Sequence, residues 1–511
     1  MQSLIARAGR PRPADVIAGL SVAFVLIPQS LANAEIAGVP VYVGLYAAAL
    51  PSLVAAFFVS SPYLQTGPVA LTALLTFGAL QGLGAEPGTT EYVALAALLA
   101  LVVGVVRTLI GAFRGGFLAY FMSQPVLIGF TSAAAILILS SQVPTAVGVV
   151  APDGQILEKA WWALIHISEW EPAAVGLSLV TAVLVLGGRK LHRVFPGVLV
   201  AVILGIVYSV VTDYDGLIVG DVPAGLPPFS LDLPWGSLPS LLVSGVVIAL
   251  VGFAEAAAIS RTFAAQERQT WSPDREFVSQ GVANLASGIS GGFPVGGSFA
   301  RSSVARLAGG KTRWVGAISG LVVLAFLPVA GVLSPLPRAI LGAIVISAVA
   351  QLIRLSPLWT MWKHSKPQTA VLWTTFSLTL ILSPRVEFAV ITGIGLGILI
   401  HVWREIKVGV GSSFDGQTLR LTPRGVLFFG SAPPLNEALL QLLAEHQDAS
   451  ALVFDLGSLG RIDYTGALVL KSVAEQAEGA GLEVSFEKVP PQTRRILGGI
   501  LEQKLPEIGE P

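Results

Sequence analysis

The chain of 511 residues contains no cysteine, so neither a disulfide framework nor a thiolate metal site can be built from it. Charged residues make up only 12%, with 31 basic and 31 acidic side chains cancelling, and no basic stripe that would track nucleic acid is present. The five histidines, His166, His192, His364, His401 and His446, are scattered. With no metal-ligand cluster and no Ser/His/Asp grouping in the sequence, an enzyme is the weakest reading, and no cofactor is expected.

What the chain has instead is apolar length. Hydrophobic residues reach 53% and mean hydropathy is +0.75, far outside the range of a soluble enzyme of this size. Runs near the ~20 residues needed to cross a ~30 Å hydrocarbon core recur up to residue 406, among them Tyr92–Thr108, Leu238–Ala258 and Phe388–Trp403. By that length rule the chain makes about fourteen crossings or partial crossings, so the expected fold is an all-α polytopic membrane domain. The basic start around Arg7, Arg10 and Arg12 precedes an apolar run with no small-residue cleavage site, which reads as a retained first helix.

Basic residues fall in alternate loops. Arg7, Arg10 and Arg12, then Arg189, Lys190 and Arg193, then Arg261, Arg268 and Arg275 mark three; Lys311 and Arg313, Lys363 and Lys366, and Arg404 and Lys407 mark three more. The excess of Lys and Arg assigns these loops, and both termini, to the cytoplasm, with the domain crossing the membrane many times. The expected division is a cytoplasmic segment at 1–13, a transmembrane domain at 14–407, a flexible linker at 408–417 and a soluble α/β domain at 418–511, where Ala451–Asp455 reads as a central strand.

Two of the apolar segments are interrupted. Gln65-Thr66-Gly67-Pro68-Val69-Ala70 lies in the first half, and Gly291-Gly292-Phe293-Pro294-Val295-Gly296-Gly297-Ser298 in the second. Each puts helix breakers at membrane depth, tolerated only where protein or a watery cavity satisfies the backbone. A matched pair in two halves is the mark of an inverted-repeat transporter. Pro68 suits a first helical position and Ser298 an N-cap, which would leave two helix starts with free N–H groups and positive dipole ends facing a small anion. The competing reading is a pair of kinks in continuous helices.

Arg301 follows Ser298 by one turn and offers positive charge beside such a site; otherwise it pairs with a carboxylate or snorkels to the cytoplasmic face. Glu255 is a lone carboxylate in an apolar helix, where low dielectric favours a neutral, proton-carrying form. It reads either as the group that links anion movement to protons or as a fixed partner of Arg261 or Arg301. Gln29 and Asn33, four residues apart on the first helix, share a face that can contact substrate or a neighbouring helix, while Glu35 reads as solvated.

Over essentially its whole length the chain resembles the sulfate permease (SulP) family of anion transporters, the group that includes prestin and pendrin. The resemblance is carried by Pro28-Gln29-Ser30-Leu31-Ala32-Asn33-Ala34, by Gly38 to Tyr46, by Thr66-Gly67-Pro68-Val69-Ala70, and by the run from Glu255 through Asn284 to Ser302. It implies seven-plus-seven inverted repeats forming a core and a gate domain, with substrate between the third and tenth helices. Carried onto this chain, the substrate-binding set is Gln29, Asn33, Gly67, Val69, Ala70, Ser298, Phe299, Ala300 and Arg301. Asn33 stands where many relatives have an aromatic, and Ala300 where they have a hydroxyl.

The tail resembles the family's STAS domain through Phe454-Asp455-Leu456 and Ile462 to Ala467. Thr465 stands where bacterial antagonists carry a phosphorylatable hydroxyl and reads here as a helix cap. The expected activity is proton-coupled symport of a small anion, the proton rather than sodium being the coupling ion. A C4 dicarboxylate such as fumarate or succinate is favoured over sulfate or bicarbonate because Asn33, Val69 and Ala300 leave the site uncrowded. An uncoupled channel, or an anion sensor with the STAS domain as output, is the alternative, and the resemblance further implies a homodimer.

Overall fold

A computed structural model describes residues 11–120, 122–188, 195–350, 353, 355–406, 409–428, 430 and 432–500. Arg7, Arg10, Arg189, Lys190, Arg193 and Lys407, all used above for orientation, lie outside the described residues. Contacts divide the chain into Met1–Gly395 and Leu396–Pro511.

The first half of the membrane region runs α1 (Pro13–Ala37), α2 (Val43–Phe58), β1 (Gln65–Gly67), α3 (Ala70–Gln81), α4 (Thr90–Ala112), α5 (Gln124–Val147), α6 (Ile156–Ile165), α7 (Pro172–Ala182) and α8 (Gly197–Thr212). The second runs α9 (Leu238–Gln266), α10 (Pro273–Ile289), β2 (Gly296–Ser298), α11 (Phe299–Leu307), α12 (Trp314–Phe326), α13 (Arg338–Val349), α14 (Leu355–His364), α15 (Lys366–Ile381) and α16 (Glu387–Ile406). Six helices among the described residues are long and apolar enough to cross a bilayer alone. Side chains such as Val183, Ile203, Val207, Val210, Val211 and Leu399 stand exposed, an apolar outer surface that suits lipid and not water.

Local chemistry sets the helix ends. At α1 the Arg12 amide donates to the Asp15 carboxylate at 2.9 Å, and Gly38, at φ 76°, closes the helix in the left-handed conformation that glycine adopts without penalty. Ser272 caps α10 by accepting from the Arg275 amide, and Pro273 occupies its first turn, where a missing N–H costs nothing.

The helices pack as two groups, each drawn from both halves of the chain. In one, α4 packs along α10 and α9, and α12 along α2 and α1; in the other, α5 packs along α15 and α13, and α13 along α7. This is the core and gate arrangement. Its core holds both interrupted segments.

The second unit carries an α/β domain, with β3 (Gly409–Asp415), β4 (Thr418–Leu427), α17 (Ala432–Glu445), β5 (Ala451–Asp455), β6 (Leu459–Ile462), α18 (Tyr464–Gly479), β7 (Glu483–Glu487) and α19 (Pro491–Gly498). The sheet order is β3-β4-β5-β7, with β6 also on β4; β3–β4 is antiparallel, and the β4–β5, β5–β7 and β4–β6 pairs are parallel. Leu419, Leu421, Leu452, Phe454 and Phe486 form its buried core.

Two expectations for this domain fail. Residues 409–415 of the expected linker are not a free tether: they pair in register from Gly409↔Arg424 to Asp415↔Thr418, and Val410 and Phe414 pack on the core. Thr465 does not cap α18. Asp463 does, accepting from the Gly466 amide at 2.6 Å, so Thr465 falls in the first turn with its side chain exposed.

Asp455 ends the central strand β5. Lys488 donates to it at 2.7 Å, and with the Gly457 amide at 3.1 Å and Arg420 nearby this holds its carboxyl below the ordinary aspartate range. Such a group stabilises the fold fully above its unfolded pKa of ~3.9, and the contribution fades as pH falls through the lower folded value. Asp455→Asn should therefore cost about 1 kcal/mol at pH 7 and progressively less as the pH falls through the lowered folded value. Faster amide hydrogen exchange in β5 at neutral pH is the readout, and unchanged exchange would refute it.

Candidate functional site

The two breaks solve one another's backbone problem. β1 and β2 pair antiparallel, with Gln65↔Ser298, Thr66↔Gly297 and Gly67↔Gly296. Because the strands oppose, α3 and α11 leave this ladder in opposite directions. With 12 and 9 residues they are half-helices of ~18 and ~14 Å, each roughly half a ~30 Å bilayer core. Continuous kinked helices are thereby ruled out.

Small residues make the approach feasible. An added Cβ on Gly297 would sit 3.0 Å from Ala256, and one on Gly67, whose φ is 153°, would meet Leu26 and Arg301 at 3.2 and 3.3 Å. Polar side chains take the remaining backbone groups. Ser52 donates to the Thr66 carbonyl at 2.7 Å, Gln280 donates to the Thr66 hydroxyl at 2.7 Å, and the Gln65 amide donates to the Ser302 hydroxyl at 3.0 Å. Asn284 holds the Val295 peptide on both sides, donating to its carbonyl at 3.0 Å and accepting from its N–H at 2.9 Å.

Ser298 caps α11 as expected, accepting from the Arg301 amide at 3.4 Å. Pro68 is not the first residue of α3. Val69 is the extended N-cap and Ala70 the first helical residue, because the Pro68 carbonyl is turned outward to receive two donors, Asn33 at 3.1 Å and Arg301 at 2.9 Å. Val69 supplies no capping side chain, and the N–H groups of Ala70, Leu71, Phe299 and Ala300 have no acceptor among the described residues.

Arg301 is 1% exposed. It neither snorkels nor forms an ion pair among the described residues. One terminal nitrogen, Nη1, donates to Pro68 and reaches the Gln29 amide oxygen at 3.4 Å, while Nε and Nη2 are buried with no partner. Gln29 and Asn33 thus both turn toward the junction, but Asn33 spends its amide on backbone. Val69 is buried, Ala70 and Ala300 are half-buried, and Phe299 is exposed and stacks on Phe263 at 6.0 Å between centroids.

Glu255 is half-buried on α9, the helix whose Gly252 and Ala256 line β2. It pairs with neither candidate arginine: Arg261 lies over the Tyr120 ring, and Arg301 acts on Glu255 only at longer range. Glu35 is not solvated as expected, since Thr145 donates to one of its oxygens at 3.3 Å and the other is buried without a partner.

Arg107, in the last third of α4, escaped the sequence reading. It is 0% exposed and donates to the carbonyls of Ala249, Ile248 and Val295 at 2.9–3.0 Å. The signal was available, because a lone arginine inside a 23-residue apolar helix is costly in a bilayer without a role.

If Asn284 fixes the break, Asn284→Ala should destabilise the protein by about 2–4 kcal/mol, since it orphans a buried N–H and removes two donations. A fall in the thermal midpoint of the full chain in detergent would show it; an unchanged midpoint would exclude that role.

Residues 13–375 match the Sulfate permease family and residues 410–498 the Mlab, STAS domain. A probable sulfate transporter of Mycobacterium tuberculosis (strain CDC 1551 / Oshkosh) is 33% identical over 396 residues, 75% of this chain and 69% of that protein. Sulfate transporter 4.1, chloroplastic, of Arabidopsis thaliana is 32% identical over 418 residues, 79% of this chain but only 61% of the plant protein. The murine Solute Carrier 26 family member A9 anion transporter, solved in the inward-facing state, shares the fold with TM-score 0.87 at 20% identity, covering 97% of this chain and 89% of that one. With paired half-helices at its centre and a family match spanning most of its length, the chain belongs to the sulfate permease family.

Proposed function

We propose that this protein is a secondary active transporter of a small oxyanion, which binds between the starts of α3 and α11. The observation that carries this reading is Arg301. Its Nε and Nη2 are buried and unpartnered beside two helix N-termini whose first N–H groups also lack acceptors. An unsatisfied buried donor costs about 1–3 kcal/mol, and an anion arriving at the junction would satisfy several donors at once. A guanidinium suits this role better than an ammonium, because its planar fork can hold Pro68 with one nitrogen and present the others to an oxyanion.

In this reading Ser298 fixes the start of α11, Gly67 leaves room for the guanidinium, Gln29 orients it, and Val69, Ala70, Phe299 and Ala300 wall the site. Sulfate is the foremost substrate, because both curated relatives described above are named as sulfate transporters. The C4 dicarboxylate reading rested on an uncrowded site; with Asn33 committed to Pro68, it keeps only the small side chains of Val69 and Ala300 in its favour.

Glu255 is the proposed proton carrier. It lies in the field of Arg301 without being locked into an ion pair, so its charge is free to change as the anion comes and goes. The protein would act in a bacterial plasma membrane as a homodimer, both termini cytoplasmic, alternately exposing the site by movement of core against gate. Thr465, exposed at the start of α18, is left as a candidate regulatory hydroxyl.

Uptake of labelled sulfate and labelled fumarate into liposomes containing the purified chain tests these points. Sulfate uptake should rise as the outside is acidified, and Arg301→Gln should lower it at least tenfold, a loss of about 1.4 kcal/mol or more. Glu255→Gln should transport without responding to pH. Fumarate uptake with no sulfate uptake would reverse the order of substrates, and a wild-type protein indifferent to pH would remove proton coupling.

A further inference from the structure

Arg107 belongs to none of the motifs used above, yet it reaches the same site from behind. Its three donations go to carbonyls, two on α9 and one at Val295, the residue just before β2. Among the described residues no carboxylate pairs with it, so a whole positive charge is buried in the core with only peptide dipoles around it.

Its position is built for it. An added Cβ on Gly252 would lie 2.6 Å from Nη2 and 3.0 Å from Thr72 in the first turn of α3, so glycine keeps a slot open for the guanidinium against that half-helix start. Val295, held by Nη1, is one residue from Gly296, which pairs with Gly67; a side chain at Gly67 would in turn touch Arg301. Arg107 therefore holds the residue next to Gly296, and Arg301 lies beside Gly67, the partner of Gly296 in the ladder.

We propose that Arg107 is a second fixed positive charge of the anion site, a positioning residue that holds β2 in place and biases the site toward doubly charged over singly charged anions. The inference rests on the site assignment above. Two cations against the one carboxylate of Glu255 leave the junction net positive, and in a low dielectric a dianion gains roughly twice what a monoanion gains from each of them. A scaffold that merely held the break would serve both kinds of anion alike.

Isothermal titration of the full-length protein with sulfate and with nitrate tests this. Arg107→Gln should weaken sulfate about tenfold or more and nitrate less than about threefold, whereas Arg107→Lys, which keeps charge but loses the fork, should bring the sulfate-to-nitrate ratio back to within about threefold of wild type. Equal weakening of both anions, or no change in either, overturns the proposal. Should Arg107→Gln fail to run as a single species, Gly252→Ala displaces the guanidinium without removing it, and it too must lower sulfate affinity more than nitrate affinity. Arg301→Gln separates the two readings: if it leaves both affinities intact the site assignment itself falls, and if it abolishes both while Arg107→Gln preserves the ratio, only the role of Arg107 falls.

Discussion

In hydrocarbon a peptide group must find its partner inside the protein, and everything at the centre of this chain follows from having broken that rule twice. A single interrupted helix would leave several N–H and C=O groups facing lipid, each costing a few kcal/mol. Here the two interruptions are brought edge to edge, so that Gln65–Gly67 and Gly296–Ser298 pair with one another. Side chains then remove the surplus: Ser52 takes the Thr66 carbonyl, Asn33 and Arg301 take that of Pro68, and Asn284 and Arg107 take that of Val295. N–H groups are met as well, that of Val295 by Asn284 and that of Gln65 by Ser302. Left unmet around the junction are N–H groups at two helix starts and two nitrogens of Arg301, together with the amide oxygens of Gln65 and Gln280. In the proposed site an anion would draw on the helix-start N–H groups and on Arg301.

Burying charged arginines beside such a site is expensive, and the fold spreads the expense over many carbonyl contacts. Arg107 is fully engaged on three carbonyls, and Arg301 on one. Fixed charge that needs no reorganisation when the ligand arrives costs little at the moment of binding, because the protein has already oriented the dipoles around it. The same economy bears on the glycines: a methyl group at Gly252 would run into the Arg107 guanidinium, one at Gly67 would press on Leu26 and Arg301, and one at Gly297 would run into Leu64 and press on Ala256 of α9.

The breaks were legible in the sequence because glycine and proline inside an apolar run contradict the requirement that a spanning helix satisfy itself. Ser298 was legible as a cap for the same local reason. Pro68 was assigned two positions off, since its suitability for a first helical turn says nothing about the tertiary pull of Asn33 and Arg301 on its carbonyl. Arg107 was lost inside a run judged by average apolarity, where one charge among more than twenty residues hardly moves the mean. In the tail, Gly409 to Ser413 has the composition of a tether, and only pairing with Arg420 to Arg424 makes it a strand. Asp463 and Thr465 are both capping residues two positions apart, and the sequence does not decide between their registers.

The ladder also constrains any transport cycle. β1 comes from the first half of the chain and β2 from the second, and Arg107 ties α4 and α9 to the same place. Drawing the halves apart to release an anion would expose the ladder's paired peptide groups and leave both arginines without their carbonyls, a cost of many kcal/mol that no small ion could offset. Binding energy is better used elsewhere. The cheap surfaces are those on which no such ladder runs, where α1 of the core meets α8 and α13, and where α3 meets α5 of the gate. A cycle that carries the intact site past those faces exchanges one set of van der Waals contacts for another and gives up few polar contacts, such as that of Thr145 with Glu35, so the rigidity of the broken segments is the condition for movement around them.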